Sequence, residues 1–454
     1  MGANQLLDDY IKFVMGAKIK DLPEEVISKA KISIADTLGV TVRGSVEPIF
    51  MRVSKSIEDL YSSEPESTDF TAASKTGMLR AAFVNSLAGH VLLFDDEHNE
   101  SVLHPGCVIL PSLLAFGETL NSSGIDFLLS YVLAYESSIR FALGLSPSHY
   151  ELGFSPTGTV NSIGGLIGLC KMANFSEEMI KTAIGICAQQ MGGTRIYQSG
   201  GHTNYAMFLS AEATQNSLIS LRLAYSGIEP IEATNDENSL FYPTFSRSEF
   251  KDCLSFSGKK WHIKDIKIKL YPSSRFCHGP VSRILKLIKE RGLDYNDIKN
   301  VEIGLDKVRY DISNVDKVFT RGEAIFSLQY NMAAAIISNK LSLDEFSEDS
   351  IKNAKIRSVM AKIKPLHSED CDLEYPQVWT THLKVVIKNG EVLEDSFDSL
   401  SIENPTLEQV KKKFFDNMAV KFSGEDTERI WNTIMNLENV GSIAELTSMF
   451  RKED

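Results

Sequence analysis

The spacing of apolar residues changes near Trp261, and this change constrains the fold more than any other feature of the sequence. Upstream of it, apolar residues such as Ile27, Ala30 and Ile34 recur at three- and four-residue steps, the period of a helix face. The same spacing returns in the segments 78–90, 108–120, 127–144, 160–173 and 178–191. Several of these are apolar nearly all round, which is typical of helices buried in a large core. The first part of the chain is therefore predicted to be a helical domain.

Downstream of Trp261, an alternation of apolar and polar residues predicts β-strands. HIKDIKIKLYP predicts a strand that ends at Leu270, and NVEIGL predicts another. In HLKVVIKNGEVLEDSF, Asn389 and Gly390 separate two alternating runs, which indicates a hairpin. Helical patterns lie between these strands. This part of the chain is therefore predicted to be a smaller α+β unit.

Helical spacing returns after Pro405, in a terminal segment too short to form a core of its own. We expect it to dock on the first domain, which makes the α+β unit an insertion. The predicted fold class is mainly α. Residues 1–265 and 403–454 would form a large all-helical domain, and residues 266–402 would form an inserted α+β lid domain.

The composition narrows the possible functions. The 454 residues are 43% hydrophobic and 24% charged, as expected of a globular protein. A formal net charge of -13 disfavours an electrostatic grip on nucleic acid or anionic lipid, and no apolar run reaches the length of a membrane span. The six cysteines are spread without a CxxC pair, and the first residues lack a signal-peptide pattern. We therefore expect a cytoplasmic protein with reduced thiols that binds neither nucleic acid nor membrane.

The segment FDDEHNESVLHPG holds the densest cluster of polar side chains, among them Asp95, Asp96, Glu97 and His104. Carboxylates and histidines can bind a metal, but the spacing fits no standard motif, so no metal is predicted. A second interpretation makes His104 a general acid or base, because the Pro-Gly that follows fixes a turn able to aim its imidazole inward. A lone loop histidine is more often inert.

The glycine-rich segment GFSPTGTVNSIGGLIGLCK matches neither a phosphate-binding loop nor a nucleophile elbow. Gly164, Gly165 and Gly168 are instead predicted to let helices approach closely. A helix is predicted to begin at residues 156–158, where its free backbone amides would suit an anion.

The segment YPSSRFCHGP joins a predicted strand to a helix predicted to begin near His278. Ser273, Ser274, Arg275 and His278 would form a compact carboxylate site there. Arg275 would hold two oxygens, and the helix dipole would favour a neutral His278. In the alternative interpretation the serines cap the helix and Arg275 lies on the surface.

A polar segment flanked by paired glycines, GGTRIYQSGGHTNYAMF, lies between two apolar helical segments. Loops of this length and composition are often mobile or functional. Its candidates for substrate contact are Arg195, Tyr197, His202, Asn204 and Tyr205.

A series of segments carries a family resemblance along nearly the whole chain: ADTLGVTVRG, NSLAGHVLLFDDEHNESVLHPG, AYESSIR, GFSPTGTVNSIGG, KLYPSSRFCH, EAIFSLQYNMAAAI and KNGEV. Taken in order, they resemble the MmgE/PrpD family, which includes 2-methylcitrate dehydratase, cis-aconitate decarboxylase and iminodisuccinate epimerase. The resemblance implies a helical domain made from both chain ends, an α+β lid, an active site between the two, and a homodimer. It also implies a small polycarboxylate substrate and no metal or organic cofactor.

Carried over position by position, the resemblance assigns catalytic roles to His104, His278 and Tyr330, which keep the family's residues. Leu93 replaces the first aspartate of the family's DFDDT-like motif, and Glu97 replaces its threonine. If the preceding helix continued, Glu97 would return a carboxylate to the face that Leu93 occupies. Glu97 is therefore a further catalytic candidate.

Two more departures concern substrate binding. Ser155 stands where the family has a histidine, and Asn204 stands where it has a lysine. A buried, hydrogen-bonded counter-charge is worth about 1.5 to 3 kcal/mol to a carboxylate. Either Arg195, His202 or Arg275 compensates for the loss, or the substrate differs.

The resulting hypothesis is a cofactor-independent lyase, a dehydratase or decarboxylase of a di- or tricarboxylate such as 2-methylcitrate or cis-aconitate. His104 would transfer a proton, and we expect His278 and Tyr330 to face it and Asp95 across a cleft. The expected substrate contacts are Asp95, Ser155, Arg195, His202, Asn204, Ser273, Ser274 and Arg275. The alternatives are an epimerase or racemase of a dicarboxylate or imino acid such as iminodisuccinate, and a non-catalytic homologue that binds carboxylates.

Overall fold

The chain folds into two compact units. The helical unit comprises Met1–Ile196, Tyr205–Ile268 and Pro405–Asp454, and the mixed unit comprises Tyr197–Asn204 and Lys269–Asn404. The predicted mainly α fold class is confirmed. The computed structural model describes residues 3–58, 63–201, 205–230, 241–247, 253–256, 258, 260–402 and 404–451.

Helices make up most of the helical unit, and in the mixed unit more of the described residues lie in helices than in strands. The helical unit begins with α1 (Ala3–Gly16), α2 (Glu24–Gly44), α3 (Pro48–Ser56), a hairpin of β1 (Ser67–Asp69) and β2 (Ser74–Thr76), α4 (Met78–His90), α5 (Gly106–Leu120), α6 (Gly124–Leu145), α7 (Ser148–Glu151), α8 (Asn161–Met172), α9 (Glu177–Gln189), α10 (Ala206–Leu223) and α11 (Phe241–Phe245). The mixed unit contains α12 (Arg275–Arg291), β3 (Ile298–Leu305), α13 (Lys307–Ser313), α14 (Arg321–Phe326), α15 (Leu328–Ser338), α16 (Glu348–Lys352), α17 (Ala354–Met360), β4 (Ile363–His367), α18 (Glu369–Asp372), β5 (Thr380–Ile387) and β6 (Val392–Asp398). The helical unit ends with α19 (Leu407–Met418), α20 (Gly424–Met435) and α21 (Ile443–Ser448). A search of the described helices found no candidate for a transmembrane segment.

Helices α6 and α8 pack closely in the helical unit, and the glycines of α8 make this approach possible. A Cβ on Gly164 would lie 1.7 Å from the hydroxyl oxygen of Ser138, and one on Gly168 would lie 2.8 Å from the Cβ of Ala134. Any larger residue at these positions would push the two helices apart. The predicted role of these glycines in close helix packing is confirmed.

The mixed unit is built on a four-stranded sheet of order β4-β3-β5-β6, in which β3 and β4 are parallel and the other pairs are antiparallel. Val301, Ile303 and Leu305 of β3 are buried at alternate positions, as the sequence predicted. The predicted hairpin is also confirmed, because Val386 of β5 pairs with Val392 of β6 and Gly390 turns between them with φ 97°.

The strand predicted to end at Leu270 is wrong. His262–Asp265 forms a 3-10 helix, and Lys267 makes only an isolated backbone bridge with Glu97. Ile266 and Ile268 are buried in the core of the helical unit. The apolar alternation in this segment therefore reflects an extended chain lying against helices, not a strand inside a sheet.

Candidate active site

His104 lies in a loop that is held as a short hairpin. Helix α4 ends at His90, and Leu93 adopts a left-handed conformation with φ 51° that turns the chain away from the helix. His98 and Leu103 exchange backbone hydrogen bonds of 2.7 and 3.2 Å. His104 therefore lies just before α5 on a defined backbone.

Asp95 lies between two imidazoles. Its Oδ2 is 2.9 Å from Nδ1 of His90 and 3.6 Å from Nδ1 of His104, and the two rings are 5.1 Å apart. The Asp95 side chain is fully buried, whereas that of His104 keeps 19% of its surface exposed. A carboxylate in this position orients the His90 ring by a hydrogen bond and stabilises either ring when it is protonated. His104 is the more exposed of the two and is therefore the one suited to exchange a proton with a ligand.

The hydrogen bonds of His104 indicate where its proton lies. Its Nδ1 is 3.0 Å from the carbonyl oxygen of Asp96, which only accepts, so Nδ1 carries the proton of the neutral ring. Nε2 is then the basic atom, and Oε2 of Glu97 lies 4.0 Å from it. Glu97 thus comes close to the proton-transferring atom, but the continuing helix that was expected to place it there is wrong. Because the left-handed Leu93 follows the end of α4, Leu93 and Glu97 share no helical face.

Asp96 anchors the loop to the helical core. Its Oδ2 accepts hydrogen bonds from Ser33 Oγ at 2.6 Å and from the Tyr135 hydroxyl at 2.8 Å, and its Oδ1 accepts the Gly106 amide at 3.0 Å. Burial raises the pKa of Asp96 to about 7. A Cβ on Gly106 would lie 2.6 Å from Oδ1 of Asp96, so only glycine fits where α5 begins. These contacts fix the loop that carries His104.

The turn before α8 holds the main chain of His104. Thr157 Oγ1 accepts the His104 amide at 3.1 Å, and Asn161 Nδ2 donates to the His104 carbonyl at 2.8 Å. The helix begins at Asn161, later than predicted, because the amide of Gly158 donates to the carbonyl of Ser155 inside this turn. The predicted helix start with free amides is therefore wrong. Ser155 itself is buried in the turn.

His149 supports the same turn. Its Nδ1 lies 2.7 Å from the Phe245 carbonyl oxygen, its Nε2 lies 2.8 Å from Thr159 Oγ1, and its ring stacks on Phe154 at 5.0 Å. Burial lowers the pKa of His149 from 6.5 to about 4. The native ring therefore stays neutral at pH values where the unfolded chain takes up a proton, so its contribution to stability is present above the unfolded pKa and is lost as the pH falls.

We expect the free energy of unfolding to fall as the pH is lowered from 6.5 towards 4, in part because of His149. His149→Gln keeps an amide donor but removes the titration, so the slope between these pH values should become shallower than in the wild type. Urea unfolding at several pH values measures both slopes. Equal slopes in the two proteins would contradict a neutral, buried His149.

Only part of the polar segment around Arg195 is described. The guanidinium of Arg195 lies over the ring of Tyr150, 3.8 Å from its centroid, and the Arg195 amide donates to the Gly153 carbonyl at 2.8 Å. This cation therefore lies close to the turn that holds His104. His202 and Asn204 lie outside the described residues, so their expected contacts with substrate stay predictions.

The second predicted cluster lies at the start of α12 in the mixed unit. This helix begins at Arg275 and not near His278 as predicted. Nη1 of Arg275 lies 3.3 Å from Nδ1 of His278. Because a guanidinium only donates, Nδ1 accepts, and the ring carries its proton on Nε2, which lies 3.3 Å from the Ser273 carbonyl oxygen. This is the pattern of a neutral imidazole, as the sequence predicted.

The two serines of this cluster do not cap α12 with their side chains. Ser274 is the N-cap residue but makes no side-chain cap hydrogen bond, and its amide donates to the Ile325 carbonyl at 3.0 Å. The hydroxyl oxygen of Ser273 is buried and has no hydrogen-bond partner among the described residues. A buried hydroxyl without a partner is costly unless a ligand or water satisfies it. The interpretation of the serines as caps is therefore not supported.

Tyr330 is buried in the core of the mixed unit. Its hydroxyl donates to the Glu345 carbonyl, and its ring lies 5.9 Å from that of Phe346. Burial raises the pKa of Tyr330 above its usual value. These contacts hold α15 against the 3-10 helix Leu343–Phe346, so Tyr330 has a structural role. Its catalytic role stays a prediction.

The predicted site residues fall into two groups. His104, Asp95, Glu97 and Ser155 lie in the helical unit, and His278, Arg275, Ser273, Ser274 and Tyr330 lie in the mixed unit. Their convergence on one substrate chamber stays a prediction, as do their individual roles.

Sequence reasoning missed the partners that orient His104, namely His90, Thr157 and Asn161. No motif marks them. The one signal for His90 is that it is a polar residue inside the largely apolar, buried stretch NSLAGHVLLF, whereas Thr157 and Asn161 lie among other polar residues and glycines.

Comparisons with known proteins cover both units. Residues 9–252 match the MmgE/PrpD N-terminal domain, and residues 271–439 match the MmgE/PrpD C-terminal domain. The chain is 23% identical to a cis-aconitate decarboxylase of Homo sapiens, over 99% of this chain and 95% of that protein. It is 22% identical to a cis-aconitate decarboxylase of Aspergillus terreus, over 94% of this chain and 92% of that protein. The chain belongs to the MmgE/PrpD family.

Proposed function

We propose that this protein is a lyase that decarboxylates a small unsaturated polycarboxylate of the cis-aconitate type, without a metal or an organic cofactor. The relatives that carry the name cis-aconitate decarboxylase support this, because the similarity extends over nearly their whole length. The observation that carries the proposal is the position of His104, partly exposed and 3.6 Å from the buried carboxylate of Asp95. That arrangement suits an acid–base group held in one orientation.

In the proposed reaction, the bond between a carboxyl carbon and its neighbouring carbon breaks and CO2 leaves. The electron pair of that bond stays on the organic fragment as a carbanion, which takes up one proton on carbon. Nε2 of His104, protonated before the reaction, is the proposed donor, and solvent then restores its proton. Glu97 lies 4.0 Å from Nε2 and is the proposed relay for that return.

The cluster at the start of α12 is proposed to bind the carboxylates that the substrate keeps. Arg275 supplies a planar cation, the buried hydroxyl of Ser273 supplies a donor without a partner among the described residues, and neutral His278 supplies a ring that can hydrogen-bond. Arg195 is proposed as a second cation. It would replace the histidine and the lysine that the family has at the positions of Ser155 and Asn204. The proposed assembly is a cytoplasmic homodimer.

Dehydration and epimerisation are the alternative reactions, because both can pass through a carbanion beside a carboxylate. An epimerase of a dicarboxylate or imino acid needs fewer carboxylate partners than a tricarboxylate lyase does. The serine at position 155, where the family has a histidine, favours that alternative. A homologue that binds carboxylates without turnover is the remaining alternative.

Incubation of the purified protein with cis-aconitate, 2-methylcitrate, citrate and iminodisuccinate separates these functions. We expect cis-aconitate to lose CO2. Mass spectrometry and ultraviolet absorbance measure this loss. Loss of water from 2-methylcitrate or citrate would instead identify a dehydratase. Uptake of deuterium from deuterium oxide without loss of mass would identify an epimerase. Binding without any chemical change would contradict the proposal and support the non-catalytic alternative.

A further inference from the structure

A second group of potential ligands lies in the helical unit, apart from His104 and Asp95. His98, His262 and Asp265 each place one donor atom within 4.8 Å of the other two. His98 belongs to the hairpin before His104, and the other two belong to the 3-10 helix that precedes the mixed unit in the chain. The three side chains thus come from two separate segments.

One neighbour orients the imidazole of His98, and another holds the main chain of His262. Nδ1 of His98 lies 2.8 Å from the hydroxyl of Ser101, so a proton on Nδ1 leaves Nε2 with its lone pair for a ligand. The main-chain amide of His262 donates to Oε2 of Glu136 at 2.8 Å, which fixes the start of the 3-10 helix. A hydrogen bond from the second ring nitrogen to a fixed oxygen is what metal-binding histidines usually have.

One buried atom of the group makes no hydrogen bond of ordinary length among the described residues. Nδ1 of His262 has no hydrogen-bond partner in the part of the chain that is described. The nearest carboxylate oxygen, Oδ2 of Asp265, is 3.7 Å away, beyond the length of a hydrogen bond. His262 as a whole is only 9% exposed, so water reaches its ring poorly. A buried nitrogen of this kind is costly unless something binds it.

We propose that His98, His262 and Asp265 bind a divalent transition-metal ion of the zinc class. Two imidazole nitrogens and one carboxylate oxygen are a usual set of three protein ligands for zinc, whereas magnesium and calcium prefer oxygen alone. Donor atoms around a tetrahedral zinc ion lie about 3.4 Å from one another. Atoms that now lie within 4.8 Å reach that separation through small rotations of their side chains. Water takes the remaining position on the side of Asp265, whose side chain is 48% exposed.

The charges around the group permit this binding. Lys260 Nζ is 3.6 Å from Asp265, but the side chain is 62% exposed and can turn into solvent when a metal takes the carboxylate. Glu136 is paired with Arg140 and stays outside the ligand set. Metal binding would therefore break the exposed ion pair between Lys260 and Asp265 and form three coordinate bonds.

The metal would connect two segments that backbone hydrogen bonds already hold together. Glu97 and Lys267 exchange hydrogen bonds of 3.0 and 2.8 Å, one residue before His98 and two residues after Asp265. The ion would thus lock the hairpin that leads to His104 against the last residues of the helical unit before the mixed unit. Its role is stabilisation of this junction, and it takes no part in the proton transfer.

Metal binding to the full chain, stripped with a chelator and desalted, tests the proposal. Equilibrium dialysis against micromolar zinc should give one bound ion per chain, and cobalt in its place should give the absorption of a four-coordinate site. Asp265→Asn, at a half-exposed position that tolerates change, should weaken zinc affinity by at least about tenfold. Ser101→Ala should weaken it by about 10- to 100-fold through the orientation of His98. At the same zinc concentration, zinc should also raise the melting temperature of the wild type more than that of Asp265→Asn.

Two other groups with metal-ligand side chains supply the controls. They are His90, Asp95 and Cys107 in the helical unit and Asp370, Cys371 and His382 in the mixed unit. Cys107→Ser and His382→Ala should each keep the bound ion. If Asp265→Asn and His262→Gln both keep the full equivalent of zinc, if no zinc binds to the wild type, or if only a control variant loses it, the proposed site is wrong.

Discussion

Replacing His104 by alanine is expected to lower kcat by about 100-fold or more. The change removes the ring whose Nε2 is the proposed proton donor. The main chain at this position stays held by Thr157 and Asn161, and the lost side chain is partly exposed. The melting temperature should therefore change little. Steady-state kinetics and thermal denaturation of the same preparation measure both effects.

His367→Ala is the matched control for this prediction. His367 lies in the mixed unit, is partly exposed, and makes a 2.7 Å hydrogen bond to Asp372 on the protein surface. Its loss should leave kcat unchanged. His104→Gln provides a second test if the alanine variant folds poorly. A folded His104→Gln protein with the turnover of His367→Ala would show that His104 is not the acid.

Replacing Asp95 by asparagine is expected to lower kcat by roughly 100-fold, with little change in KM. Asparagine has the same shape, but it is neutral, so it cannot stabilise a protonated His104 as the charged oxygen 3.6 Å away does. Asp95 is fully buried between these rings, so its burial fits the orientation of His104 better than contact with substrate. Separate determination of kcat and KM distinguishes the two roles, because loss of a substrate contact would raise KM.

Glu118→Gln is the matched control for Asp95→Asn. Glu118 is also a buried carboxylate of the helical unit, and it accepts hydrogen bonds from Thr68 at 2.8 and 3.0 Å. It lies about three turns along α5 from the loop of His104. Its replacement should lower stability without lowering kcat. If Glu118→Gln and Asp95→Asn reduce kcat equally, the effect of Asp95 comes from general destabilisation of the unit.

The sequence predicted the parts of the fold whose apolar spacing has a single cause. In β3 and in the β5–β6 hairpin, apolar residues alternate with polar ones because one face of the sheet is buried. The strand and the hairpin were both predicted correctly. The glycines of α8 were also interpreted correctly, because a glycine inside an apolar helix has few uses other than close packing. The segment around Ile266 shows the limit of this reasoning. An extended chain lying on a helical core alternates in the same way as a strand does, and the spacing does not distinguish the two.

The candidate site could be predicted only in part, for a different reason. His104 stood out because an acidic cluster and a Pro-Gly turn surround it. Its contact with Asp95 and His90 depends on the left-handed conformation of Leu93, and a leucine gives no sign in the sequence that it will adopt such a conformation. The route by which Glu97 comes near Nε2 was mispredicted for the same reason. Local backbone geometry that tertiary packing imposes is thus the main information that the sequence does not supply.

The reaction of cis-aconitate in deuterium oxide tests the central claim most directly. The wild-type protein should release CO2 and give a product that carries deuterium on carbon, because the proton that His104 delivers comes from solvent. His104→Ala, shown to be folded and to bind the same compound, should release CO2 at least about 100-fold more slowly. Unchanged cis-aconitate with the wild type, or equal rates of CO2 release from the two proteins, would contradict the assignment of this chain as a decarboxylase that uses His104 as its acid.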